Sequence, residues 1–389
     1  MNFTYPKTVN EAISAALKMF GENYHTANIW RLSVAVLVAT LAFVFYMLFT
    51  EGHASFNTSS DGITWGLLVV DYAFFVLTST GLTFVASMAM VFGFKEFYPI
   101  AKRCIWLAVI TLLTGFAALA LELGHPFRML WAVPFGLQIH SPMFWMGVFY
   151  TAYLVFLLFK FQKVSNGDWN SNTSKALGII SFVTVVIAHG MLGGLFGAIA
   201  IRPMWFGPLV PVYFLLTAAL SGTAFAIMIT YLTYGGEQAM PEKVRALMRG
   251  AMPKAFAAVL GIVLVATISR TGIGLWSNID GLQVWGHVVH TPWFWVEMVL
   301  MFGAFAILLM DSGAIVPAVM VIIALFIGRY EFVIGGQMLP LFKGTWVPGL
   351  IEYAPSMTEW MITVMSFAIV FAGWSFGERT LNLGASPQD

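Results

Sequence analysis

Apolar runs of about 20 residues recur from one end of the 389-residue chain to the other, separated by short polar joints. At about 1.5 Å per residue, each is long enough to cross the hydrocarbon of a bilayer. Ten spans are predicted, at 30–50, 64–93, 103–122, 141–160, 175–199, 207–234, 253–270, 290–310, 312–330 and 357–377. The joint at Asp311-Ser312-Gly313 is brief, and reading through it would merge two spans and leave nine. Ahead of the first span, Thr8-x-x-Glu11 spells a capping box, and Val9, Ile13, Leu17 and Phe20 recur at helical spacing before Gly21. This pattern predicts a short amphipathic helix lying on the membrane surface rather than a targeting segment. The expected fold is all-α and polytopic.

Two motifs occur twice. HSPMFW (140–145) returns as HTPWFW (290–295), and STGLTF (79–84) as LSGTAF (220–225). Both pairs stand four spans apart, so spans two to five and six to nine read as two four-helix bundles of the same orientation, related by an axis along the membrane normal. The predicted organisation is an interfacial N-terminal segment (1–29), a first span with its outer loop (30–63), a first bundle (64–199), a second bundle (207–330), an outer loop with the last span (331–377), and a tail (378–389).

Composition supports this class. The chain is 59% hydrophobic and 10% charged, where a soluble domain carries about a quarter charged residues. A net charge of +1 without a basic block excludes nucleic acid as a partner and leaves lipid as the surroundings. Cys104 is the single cysteine. Iron–sulfur clusters take several thiolates, so any such centres would belong to a partner. A membrane b-type haem takes paired histidines within the spans. Only His189 lies well inside one, while His25, His53, His125, His140, His287 and His290 fall at edges or in loops, so no haem is expected.

Lys and Arg sort by alternate loops. Arg128, Arg202, Arg270, Arg329 and Lys343 fall on one side, and the remaining 14 of the 19 on the other. The positive-inside rule then places both termini in the cytoplasm. On that orientation Asp71, Glu122, His125, Arg128, His140, His189, Arg202, Glu297, Glu331 and Glu359 all crowd toward the extracytoplasmic ends of their spans, as do most of the tryptophans.

Ionisable side chains at such positions mark a site by default. A carboxyl group taken out of water can exchange protons near neutral pH, and imidazole titrates in the same range. Asp71 lies within its span without an adjacent base, and Glu122, His125 and Arg128 follow one another at the end of span three. Simpler roles stand beside these. Glu122 and Arg128 could form an interfacial ion pair, and His140 could cap the helix starting at Ser141-Pro142. His189 precedes Gly190, Gly193, Gly194 and Gly197, which allow close helix approach. Thr78, Ser79 and Thr83 could line a proton path from Asp71 or serve packing.

The segment LELGHPFR (121–128) resembles the Asp-Leu-Gly-Arg-Pro-x-Arg type of signature of the NrfD family, the polysulfide reductase membrane subunit-like proteins. Glu122, Gly124, Pro126 and Arg128 match in kind, and SPMFWMG (141–147) resembles the Ser-Pro-x-x-Trp start of the next helix. Asp71, His189 and Arg202-Pro203-x-Trp205 also resemble the longer members, which include membrane subunits of periplasmic hydrogenases and of the sulfite-reductase-associated complex. His125 stands where an arginine is usual, so its contact there need not be the family's.

The resemblance implies a membrane subunit of a respiratory oxidoreductase complex in a prokaryotic inner membrane. Menaquinone or ubiquinone would bind near the outer face, and a multi-cluster iron–sulfur subunit would dock there, with further cytochrome or catalytic subunits beyond it. On that reading Asp71, Glu122 and His125 exchange protons. Arg128, Trp131, His140, Trp145, His189 and Arg202 bind the quinone, and Thr78, Ser79, Thr83 and Glu297 carry protons. Two other classes fit parts of the pattern: a proton-coupled secondary transporter, and a structural anchor for a redox complex.

Overall fold

The structure, a computed structural model, describes residues 6, 8–59, 62–123, 131, 135–277, 284–310, 312–340 and 349–387. These residues form helices and connecting turns without a strand, and ten helices among them are long and apolar enough to cross a membrane. The chain is an all-α multi-pass membrane protein.

A short α1 (Val9–Met19) is followed by α2 (Ala27–Thr50), α3 (Leu67–Met90), α4 (Tyr98–Glu122), α5 (Pro142–Ser165), α6 (Asn172–Gly197) and α7 (Val210–Tyr234). The short α8 (Glu242–Arg249) leads into α9 (Ala251–Ser277), then the short α10 (Val284–His290), α11 (Pro292–Leu309), α12 (Ile315–Gly335) and α13 (Met357–Thr380). The Thr8 hydroxyl caps α1 by accepting from the Glu11 amide at 3.2 Å, and Val9, Ile13 and Leu17 are exposed. Helices α11 and α12 are separate: α11 ends at Leu309, and Gly313 takes a φ of +92°, a turn conformation that favours glycine.

Helix α3 is the axis of the molecule. It is apolar on every side, as a helix surrounded by others must be, and nearly all its residues are buried. It packs against α4, α6, α7, α12 and α13, while α5 pairs with α6, α11 with α12, and α2 with α13. The closest approach is between α3 and α7. A Cβ on Gly81 would fall on the Ala218 carbonyl and the Gly222 amide, and one on Gly222 would fall on the Gly81 backbone. These glycines occupy equivalent places in STGLTF and LSGTAF, so the two copies of the repeat meet through their own backbones. The Thr78 and Ser221 hydroxyls hydrogen-bond at 2.8 Å beside the contact.

The opposite ends of the helices carry a second polar layer. Helix α4 begins at Tyr98, with Pro99 in its first turn, rather than at the expected 103, and α5 continues to Ser165. Lys102, Arg103 and Lys160 are therefore drawn inside the packed helices. Arg103 pairs with Glu378 of α13, Lys102 donates to the Leu381 carbonyl at 2.7 Å, and Lys160 donates to the Ser174 hydroxyl at 2.7 Å. The embedded charges thus lie in two layers, whereas the sequence pointed to one.

Of the four glycines after His189, Gly193 and Gly197 are packed against Pro211 and Gly207, whereas Gly190 and Gly194 face open space. Gly81→Ala and Gly222→Ala should each lower stability by about 1–3 kcal/mol or more through overpacking. Gly190→Ala should leave stability unchanged or raise it by up to about 1 kcal/mol. Thermal unfolding of the detergent-purified chain, followed by size-exclusion recovery, checks the contrast.

Candidate functional site

Three carboxyl groups gather at the end of α3 that the charge bias assigns to the extracytoplasmic side. Asp71 is fully buried; its Oδ2 accepts from the Thr363 hydroxyl of α13 at 2.9 Å, and its Oδ1 has no hydrogen-bond partner among the described residues. Glu122, the last residue of α4, is half-buried; its Oε1 accepts from the Gly66 amide at 3.4 Å, and its buried Oε2 is also unpartnered among the described residues. Glu359 of α13 is fully buried and within electrostatic range of both.

Local sequence explains how Glu359 is held. Ser356 and Glu359 form a complete capping box at the start of α13: the Ser356 hydroxyl accepts from the Glu359 amide at 3.2 Å, and Glu359 Oε2 accepts from the Ser356 amide at 2.7 Å. Glu359 also accepts from the Asn57 amide at 3.2 Å and from the Tyr353 hydroxyl. Tyr353 in turn accepts from the Leu67 amide at 2.9 Å, which ties the loop before α13 to the first turn of α3. Burial and the adjacent Glu359 carboxyl hold the Tyr353 phenol above its ordinary pKa, so it remains a donor. Nearby, His53 Nε2 lies 3.2 Å from the Leu121 carbonyl.

The other residues singled out from sequence lie in different places. His125 and Arg128 fall outside the described residues. Trp131 and His140 are exposed, and Trp145 stands on the outer rim, where its indole donates to the Ile139 carbonyl at 2.8 Å. His189 is fully buried, with Nδ1 3.0 Å from the Tyr150 hydroxyl and 3.3 Å from the Thr80 hydroxyl. Thr80 is nine residues beyond Asp71, roughly 13.5 Å along α3 and on its opposite face, so His189 does not meet the carboxyl group. Arg202 donates to the Gln337 carbonyl at 3.0 Å and to the Leu339 carbonyl, anchoring the end of α12. Gln337 also binds the Trp65 backbone, and the Trp65 and Trp205 rings stack with centroids 5.4 Å apart.

The three hydroxyls of α3 diverge. Thr78 faces Ser221 of α7, whereas Ser79 and Thr83 both meet the Tyr153 hydroxyl of α5, at 3.0 and 2.6 Å. Glu297 belongs to a separate cluster in the second group of helices, with Arg270, Arg329 and Glu331. Sequence reasoning passed over Tyr353 and Thr363 and read Glu359 only as a helix-end acid. The available signal was Ser356-x-x-Glu359, which marks a helix start and does not reveal that the capping acid turns toward Asp71.

Chemically, the cluster presents unsatisfied acceptor oxygens at two depths: Glu122 at the mouth and Asp71 inside. A buried acceptor without a donor costs about 1–3 kcal/mol, and a proton or a ligand hydroxyl would satisfy it. Tyr353→Phe removes the donor to Glu359 and should lower stability by about 1–3 kcal/mol. The native phenol binds its proton more tightly than the unfolded one. Its contribution is therefore fully present below the unfolded pKa of about 10 and lost as pH rises beyond it. Wild type should lose stability more steeply than Tyr353→Phe above about pH 10, as read by thermal unfolding across pH.

Comparison with known proteins agrees with this architecture. The chain is 25% identical over 377 residues to the selenate reductase C subunit from Mesobacillus selenatarsenatis, covering 84% of this chain and 87% of that protein. It is 21% identical over 389 residues to the Hdr-like menaquinol oxidoreductase integral membrane subunit of Archaeoglobus fulgidus, covering 90% and 92% respectively. The family profile of polysulphide reductase NrfD matches residues 55–340, from the turn before α3 to just past α12. With most of its length inside that match, the chain belongs to the polysulphide reductase NrfD family.

Proposed function

We propose that this chain binds a quinol near the extracytoplasmic face, beside Glu122 and Asp71, and passes its electrons to an iron–sulfur subunit docked on that face. The observation that carries this reading is the pair of orphaned carboxyl oxygens, Asp71 Oδ1 and Glu122 Oε2, beneath one end of the helices. A quinol offers two O–H donors and must shed two protons on oxidation, so acceptors at two depths suit it. The similarity to a menaquinol oxidoreductase subunit favours menaquinol over ubiquinol.

When bound, the quinol supplies the two-electron chemistry. The chain's own part is to position and deprotonate. Glu122 Oε2, at the half-buried mouth, is placed to take the first proton and release it outward. Asp71, whose Oδ2 is held by Thr363, is placed to take the second on its free Oδ1. Tyr353 fixes Glu359 between them by donating to one of its oxygens. Arg128 and His125, which follow Glu122 within six residues of sequence, and the exposed Trp131, His140 and Trp145 are the further candidates for contact with the head group. The Ser79–Tyr153–Thr83 and Thr80–His189–Tyr150 contacts offer hydroxyl and imidazole steps for a proton path along α3. With one cysteine the chain cannot itself ligate a cluster, so the electron acceptor is a partner's. The bias of Lys and Arg across the membrane supports termini in the cytoplasm.

Asp71→Asn and Glu122→Gln should each reduce quinol-linked electron transfer by at least about 100-fold, while the complex still assembles and copurifies with its cluster-bearing partner. Full activity in both variants would support a structural anchor. Proton-coupled solute uptake by the chain alone in proteoliposomes would support a transporter.

A further inference from the structure

The second group of helices holds a charged cluster that stands apart from Asp71 and Glu122. Glu297 of α11 and Arg329 of α12 are buried, and Glu331 and Arg270 stand beside them. The Glu297 carboxyl lies against Gly328, three residues before Glu331 on the same face of α12, so the two acids share the α11–α12 interface, and the Thr291 hydroxyl donates to Glu331 Oε1 at 3.3 Å. Gly328 makes the room: a Cβ there would lie 2.5 Å from Glu297 Oε1. One repeat back, the place of Glu297 is taken by Gly147, so this acid belongs to the second copy alone.

The two guanidinium groups compensate charge without satisfying these carboxyls. Arg270 donates to the Met204 carbonyl at 3.0 Å and lies over the Phe332 and Trp285 rings at 4.7 and 4.8 Å. Arg329 donates to the Thr217 hydroxyl, lies over the Phe214 ring at 4.1 Å, and keeps a buried Nη1 with no hydrogen-bond partner among the described residues. The groups that face the pair are therefore Arg270 from α9, Arg329 from α12 itself and Thr291 at the start of α11. Tyr213 of α7 stands behind the two arginines.

Two ionised carboxylates have only acceptors and cannot hydrogen-bond to each other; like charges in a buried site also oppose double ionisation. One proton between them resolves both problems. We propose that Glu297 and Glu331 form a proton-binding dyad that takes up and releases a single proton, separately from the Asp71–Glu122 site. With the proton bound, the pair carries −1 against the two arginines; on release it carries −2 and the four-residue cluster becomes neutral. Glu331 is partly exposed and Glu297 is not, so the proton exchanges with water by way of Glu331.

The test is infrared difference spectroscopy of the full-length protein in lipid, between acidic and alkaline buffer, in H2O and D2O. Asp71→Asn/Glu122→Gln serves as background to remove the other acids. A protonated-carboxyl C=O band that titrates, shifts in D2O and disappears in both Glu297→Gln and Glu331→Gln is the expected result, because either substitution abolishes sharing. Loss in only one variant, or a band that survives both, overturns the proposal. Gly328→Ala keeps every carboxyl but crowds Glu297, so it should shift the band. If neither Gln variant assembles, an unmoved band in Gly328→Ala overturns the proposal on its own. Quinol-linked activity is measured separately on the Asp71 and Glu122 variants, so failure of the quinol reading is distinguishable from failure of the dyad.

Discussion

The backbone contact between Gly81 and Gly222 governs most of this architecture. Bringing α3 and α7 together without side chains between them leaves α3 enclosed by helices of both repeats, with α13 closing another side. A helix so enclosed meets no lipid along most of its length. Its polar side chains therefore find partners in protein, which is the condition for keeping Asp71, Thr78, Ser79, Thr80 and Thr83 inside a membrane. Cohesion here comes from close packing and hydrogen bonds, since lipid offers no hydrophobic drive for helix association.

The repeated motifs share packing positions, while the residues around them differ in chemistry. Equivalent glycines meet at the interface, and equivalent Ser141 and Thr291 stand at the starts of α5 and α11, although only the Thr291 side chain caps its helix, so the duplicated features are those of packing and helix placement. The ionisable residues are not duplicated. Asp71 and Glu122 lie at one end of the first group, joined by Glu359 from α13, while Glu297, Glu331, Arg270 and Arg329 lie in the second. Packing tolerates few alternatives at a backbone contact, whereas a polar site survives wherever its neighbours satisfy it.

Much of the architecture was legible in the chain. Ten apolar runs gave ten membrane helices, Asp311-Ser312-Gly313 marked a real break, and the resemblance carried by LELGHPFR and SPMFWMG agrees with the family match. Helix ends were less legible. Lys102, Arg103 and Lys160 look like loop residues because lysine and arginine normally flank a span. Here Glu378, the Leu381 carbonyl and Ser174 pair with them inside the bundle, so the helices extend past them. At the site, Asp71 and Glu122 stood out by composition. Glu359 was hidden by its own capping box, and Tyr353 and Thr363 by the ordinariness of a tyrosine and a threonine.

What the sequence determined by itself was what depends on short stretches of chain: the number of spans, the absence of enough cysteines for a cluster, the internal repeat, and the bias of charge across the membrane. Each of these comes from local apolar length or from counting, and each survives any rotation of one helix against another. Tertiary structure alone decided which polar groups meet. Asp71 and Thr363 are 292 residues apart and touch only because α3 and α13 pack in one particular rotation. Helices that are apolar all round carry no stripe to announce that rotation, so the partners of each buried acid became readable only once the helices were in place.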